Sequence, residues 1–245
     1  MTTLELLPAT LPWLYCAIAV ITGTVLQRIA GAGFGMIASP VMVLAAPDWV
    51  PGTILLLGVF VGFGSFFGSK DSVNFRDLPF GLIGRVIGAV FAAYIARLVV
   101  GSSYLPIAVG FIVLFAVLLS CLGLSFKIGK LSLVIAGTIG GVMATLTGIG
   151  AAPMAVLYSS VEARRSAATQ NMFFGFGMAI SIAALTVAGL ITFKQLAFAL
   201  SLAPLVPLSI WLSKPLAQRV EKGSIRPWAL GLATTSASIL IISSI

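Results

Sequence analysis

The sequence predicts an all-α polytopic transmembrane helix bundle. It predicts two homologous halves in opposite orientation, with helices interrupted at glycine-rich motifs. Three observations carry this. The 245 residues are 60% hydrophobic and only 8% charged, with mean hydropathy +1.16, where a soluble domain carries about 25% charged residues. Apolar runs of about 20 residues, each long enough to span a bilayer core, recur from end to end. A glycine pattern also returns at an offset of 117 residues, from Ile18–Gly33 to Ile135–Gly150. One membrane domain, 1–245, accounts for the chain.

Backbone groups in lipid need internal partners, which leaves helices and closed barrels. The apolar runs lack the alternation of barrel strands. Ten segments follow in order: about 9–29, 34–47, 51–68, 80–98, 103–123, 131–147, 150–160, 168–191, 195–213 and 226–244. The first follows a start that holds Glu5 and no Lys or Arg, unlike the positive region of a cleavable signal. Trp13, Trp49, Trp211 and Trp228 fall near segment ends, as interfacial Trp does. Pro204 and Pro207 are expected to kink the segment 195–213. The polar stretches Ser69–Pro79 and Lys214–Arg226 are the longest loops of the two halves, too short for an enzymatic domain.

The segments 34–47 and 150–160 are short, reaching about 16–21 Å at ~1.5 Å per residue. Loop charges decide whether they cross. If they do not, the Lys and Arg residues split eight to six, which orients nothing. If they do, Arg28, Lys70, Arg76, Arg85, Lys127, Lys130, Arg164, Arg165, Lys214, Arg219, Lys222 and Arg226 share one side. Only Arg97 and Lys194 lie opposite. The positive-inside rule then favours ten crossings, a cytoplasmic charged side and outward termini. The net charge of +8 is read as topology, with no nucleic-acid partner.

The repeat matches Ile18/Ile135, Ala19/Ala136, Gly23/Gly140, Val25/Val142, Gly31/Gly148 and Gly33/Gly150. A second block, Phe75–Phe80, resembles Phe193–Phe198 at nearly the same offset. The halves are about 9–123 and 131–244. Each holds five segments, an odd number, so they run oppositely through the membrane. Inverted repeats with interrupted helices at their interface are a transporter architecture.

The motifs Gln27-Arg28-Ile29-Ala30-Gly31-Ala32-Gly33-Phe34-Gly35 and Thr147-Gly148-Ile149-Gly150-Ala151-Ala152-Pro153 are read as two halves of one solute site. Glycine permits unusual backbone conformations and lets a solute approach main-chain N–H groups. Gly31, Gly33, Gly35, Gly148, Gly150 and Pro153 are candidates on that ground. Arg28 is the strongest single candidate, as an anion partner or a snorkelling cation. Gln27 precedes it. Gln170 and Asn171 open the segment 168–191, where a polar pair needs buried partners or a solute. Ser39, Thr147, Tyr158, Ser159 and Ser160 are weaker candidates. Arg85 either lines a pathway or snorkels. Gly23, Gly84, Gly88, Gly137, Gly140 and Gly141 read as helix-packing residues.

The chain has no His, and its six acids all fall in tails or loops by this parse. That leaves no catalytic triad, no metal set and no buried carboxylate relay, so no catalytic residue, metal or cofactor is assigned. Cys16 and Cys121 lie in apolar runs and read as packing residues. An anion or neutral solute fits better than a cation. A multipass membrane enzyme is the alternative from another class, and the missing His and buried acids argue against it.

At these residues the chain resembles the TauE/SafE family, also called the sulfite exporter family. The resemblance rests on Gly31-Ala32-Gly33-Phe34-Gly35 with Pro40, on Gly148–Pro153 running into Tyr158, on Arg165–Thr169, and on Ala188–Ile191. Phe34 departs from the family's Gly-x-Gly-Gly-Gly, and Gly150-Ala151-Ala152-Pro153 from its Gly-Gly-Pro-Pro. The resemblance implies export of sulfur-containing anions such as sulfite or organosulfonates from a bacterial inner membrane. A carboxylate carrier is the alternative. It also implies about eight helices, against the ten segments read here. The oligomeric state stays open, a homodimer included.

Overall fold

The computed structural model describes residues 6–67, 72–100, 102, 104–215 and 222–242. Glu5, Lys70, Asp71, Arg219 and Glu221 lie outside the described residues, as do the side chains of Lys222, Arg226 and Trp228. The described residues form helices and no strand. In order these are α1 (Thr10–Ala30), α2 (Phe34–Ala45), a 3-10 turn (Pro47–Trp49), α3 (Gly52–Phe67), α4 (Leu78–Val99) and α5 (Tyr104–Cys121). The second half holds α6 (Lys130–Thr147), α7 (Ala152–Leu157), α8 (Ala163–Val187), α9 (Phe193–Leu202), α10 (Leu205–Leu212) and α11 (Lys222–Ile242). Six stretches are long and apolar enough to cross a membrane: α1, α4, α5, α6, α8 and the combined Phe193–Leu212. The outer face is apolar, with Tyr94, Leu98, Leu131 and Val187 over 70% exposed.

Three sequence expectations need correction. The segment 150–160 is helical only over Ala152–Leu157, about 9 Å, which as a helix cannot span the core. The segment 168–191 begins earlier, capped at Ala163 by the Glu162 carboxylate, which accepts from the Arg164 and Arg165 amides. Gln170 and Asn171 therefore sit inside the helix rather than at its opening. Arg85 is not a loop-side charge. It lies within α4 and is fully buried, so it drops out of the topology count. The break between α9 and α10 falls at Ala203–Pro204, where proline lacks the N–H that would continue the helix.

The two faces of the bundle can be told apart by contacts. On the first face, the Trp49 indole donates to the Leu6 carbonyl at 3.1 Å. Lys194 lies 5.0 Å from the Trp49 ring, and Gln195 Nε2 donates to the Val50 carbonyl. On the second, Tyr158 donates to Asp77, Ser159 to the Leu124 carbonyl, and Lys130 lies over Phe80. The segment 34–49 thus ends beside Leu6, just ahead of α1, and 152–158 ends beside Asp77, just ahead of α4.

Close packing through glycine holds the centre. A Cβ on Gly84 would lie 2.0 Å from the Val134 carbonyl oxygen, on Gly88 2.1 Å from that of Thr138, and on Gly137 2.1 Å from that of Gly81. Only hydrogen at those positions lets α4 and α6 approach this closely. The partner pair α3 and α8 meets similarly, with Gly62 on Gly175.

Candidate functional site

Both long helices that precede a glycine motif end alike. Gly31 closes α1 in the left-handed region (φ 74°, ψ 0°), and its N–H donates to the Gln27 carbonyl at 2.8 Å. Gly148 closes α6 at φ 78°, ψ 2°, donating to the Ala144 carbonyl at 2.7 Å. A left-handed cap strongly favours glycine. These residues stand 117 apart, as do their acceptors, so the repeat is local geometry as well as sequence.

The two breaks touch. A Cβ on Gly35 would fall 2.2 Å from the Gly148 carbonyl oxygen. Ser39 Oγ donates to the Thr147 carbonyl, satisfying an acceptor that the end of α6 leaves open. Gly33, Gly35, Met36, Ile149, Gly150, Ala151, Ala152 and Phe174 enclose a cavity of ≈ 10 Å³. That is about one water's worth of room, so the chain is closed here.

The polar candidates divide. Gln27 is fully buried and engaged throughout: Nε2 donates to the Gly31 carbonyl (2.9 Å) and to Asn171 Oδ1 (3.0 Å), and Oε1 accepts from the Phe34 amide (3.2 Å). It bridges the α1–α2 break and ties it to α8. Asn171 is spoken for by that bond. Gln170 Nε2 donates to Ser166 Oγ at 2.8 Å, while its Oε1 is buried without a partner. Arg28 is half-buried, with Nε buried and unpaired. Pro153 is buried in the first turn of α7, where a missing N–H costs nothing. Gly150 is tightly packed: a Cβ there would meet Arg85 Nη1 at 2.3 Å and Ala144 Cβ at 2.6 Å. Gly31 lies against Ala167 and Gln170.

Near the second face, Tyr158 and Asn74 both donate to Asp77 Oδ2, the latter at 2.7 Å. Ser166 Oγ donates to the Tyr158 carbonyl, extending this network to Gln170. Thr147 closes its own helix end by donating to the Met143 carbonyl.

Arg85 stands out once the fold is known. It is the one charged side chain buried among the described residues. Nε donates to the Gly177 carbonyl at 3.2 Å and Nη1 to the Gly140 carbonyl at 2.7 Å, while Nη2 has no partner. Three glycines make room for the guanidinium, since a Cβ on Gly177 would lie 2.7 Å from Nε. No described acid is buried with it: Asp48 and Glu162 are exposed, and Asp77 is held by Asn74 and Tyr158.

The family model described as Sulfite exporter TauE/SafE matches residues 15–240. The chain belongs to the TauE/SafE family. It is a multi-pass membrane transporter, not an enzyme, and the family implies a small anionic substrate. No curated protein and no solved structure matches it. In this TauE/SafE chain two of the motifs that carry the resemblance, Gly31–Gly35 and Gly148–Pro153, form the two breaks. Arg85 belongs to none of those motifs. Its only sequence signal was a cation at the sixth position of the apolar run 80–98, which snorkelling explained equally well.

Proposed function

We propose that this chain exports small sulfur-containing anions, sulfite or an organosulfonate, across a bacterial inner membrane. The observation that carries the reading is the meeting of two glycine breaks around a closed cavity, in an interior without a buried carboxylate among the described residues. A cation or proton route calls for buried acids. An anion needs donors and positive charge, and the half-buried Arg28 and main-chain N–H groups offer both. The substrate contacts proposed are Arg28, Gly33, Gly35 and Gly150 at the breaks, with Gln170 on α8 donating through Nε2, which Ser166 holds in the closed state. Gln27, Gly31, Ser39, Gly148, Pro153 and Asn171 act by holding the breaks in place.

Two halves, about 9–123 and 131–244, run oppositely in this reading, with 34–49 and 150–158 as short segments that turn back after each break. Support comes from 34–49, which ends beside Leu6, and from 152–158, which ends beside Asp77.

The test is efflux from liposomes holding purified protein, with sulfite, thiosulfate, a sulfonate, acetate and a neutral solute compared. One charge crossing ~100 mV releases about 2.3 kcal/mol, roughly a fifty-fold gradient. An inside-negative potential at equal pH is therefore expected to drive sulfonate efflux without a proton or sodium gradient. Preference for acetate would move the assignment to carboxylates. Absence of efflux for every anion would sink the reading.

A further inference from the structure

We propose that the Arg85 guanidinium is the counter-charge for the transported oxyanion, gripping two of its oxygens through the edge formed by Nη1 and Nη2. The proposal rests on the anion-export reading and names the residue that would hold the cargo.

A guanidinium donates from every nitrogen, and its planar fork matches two oxygens of one oxyanion. Here the protein uses Nε and Nη1 for carbonyls of α8 and α6 and leaves Nη2 unpaired at zero exposure. Carbonyl acceptors orient the group without neutralising it. A buried cation lacking a counter-charge is costly, and a structural staple between helices would not need one. An arriving anion supplies both the missing charge and the missing acceptors.

The surroundings lead to the same place. Gly177 packs directly on the guanidinium, since a Cβ there would lie 2.7 Å from Nε and 3.1 Å from Nη2. Gln170, Phe174 and Gly177 stand four and then three residues apart on α8, so they share one stripe of that helix. Gln170 donates to Ser166, Phe174 borders the cavity between the breaks, and Gly177 borders Arg85. Gly150 joins the two regions, lining the cavity while lying against Arg85 Nη1. The stripe thus runs from the Ser166–Tyr158 network past the closed cavity to the guanidinium. Parting the breaks at Phe174 and Gly150 would open that path, which the ≈ 10 Å³ cavity now closes.

The experiment compares wild type, Arg85→Lys and Arg85→Gln in the liposome efflux assay, with sulfite and a sulfonate as probes. Unfolding temperatures of each purified protein are read with sulfonate or equimolar chloride. Lysine keeps the charge and loses the fork. Arg85→Lys is expected to raise KM for both probes about tenfold or more and to lose the sulfonate-specific stabilisation seen in wild type. Arg85→Gln is expected to abolish efflux while remaining folded. Arg85→Lys with wild-type KM and wild-type sulfonate stabilisation would overturn the proposal, leaving anion export itself standing. Failure of both variants to fold, even with sulfonate present, would also overturn it and make Arg85 a helix staple. Wild type that moves no anion would instead strike the underlying reading.

Discussion

Gln27→Leu tests whether the first motif is a built cap or an open solute site. Leucine is of similar size and apolar, so the change removes hydrogen bonds with little loss of packing. Three groups lose their partner: the Gly31 carbonyl, the Phe34 amide and Asn171 Oδ1, all buried. Interhelical hydrogen bonds in membranes average only about 0.6 kcal/mol, which sets a floor near ~2 kcal/mol for three. Orphaned buried groups in soluble proteins cost about 1–3 kcal/mol each, which moves the expected loss to around 4 kcal/mol. Two of the three groups are backbone at a helix break, where no neighbour can take over. The higher end is therefore expected. Reversible unfolding in mixed detergent reads the loss directly. Asn171→Leu and the double variant complete a cycle, and the pair should couple because they touch. A destabilisation below about 0.5 kcal/mol would refute the cap. So would normal stability with a raised KM, which would show that the Gln27 amide serves the solute instead.

Two further outcomes are expected. In a background with Cys16 and Cys121 replaced, Asp48→Cys should label from one side of the membrane and Arg164→Cys from the other; labelling from the same side would remove the returning segment 34–49. Gly35→Ala should destabilise by about 1–3 kcal/mol, since its Cβ would sit 2.2 Å from the Gly148 carbonyl oxygen; wild-type stability measured by the same unfolding assay would mean that the two breaks are not in contact.

Much of this protein was legible because lipid leaves a chain few options. Apolar runs must become helices, so segment boundaries at α1, α4, α5 and α6 follow the composition to within a few residues. Glycine repeating at a fixed offset marked the two breaks, because a left-handed helix end strongly favours glycine and the need shows in the residue itself. The family resemblance drew on those same residues, and the family model matches residues 15–240.

Tertiary structure decided what the polar residues do. Gln27 and Gln170 look alike along the chain, yet one is saturated and the other keeps an unpaired oxygen. That difference depends on which groups α2 and α8 bring alongside, and no local pattern encodes it. Arg28 and Arg85 likewise both read as cations near apolar runs. Depth separates them: α4 packs so closely on α6 through glycine that Arg85 is sealed inside, beside carbonyls 55 and 92 residues away. The sequence by itself determined that the chain is a bundle of long apolar helices and where the two glycine breaks fall. Packing between helices distant in sequence determined which charge ends up buried without a described counter-charge, because burial is a property of neighbours rather than of residues.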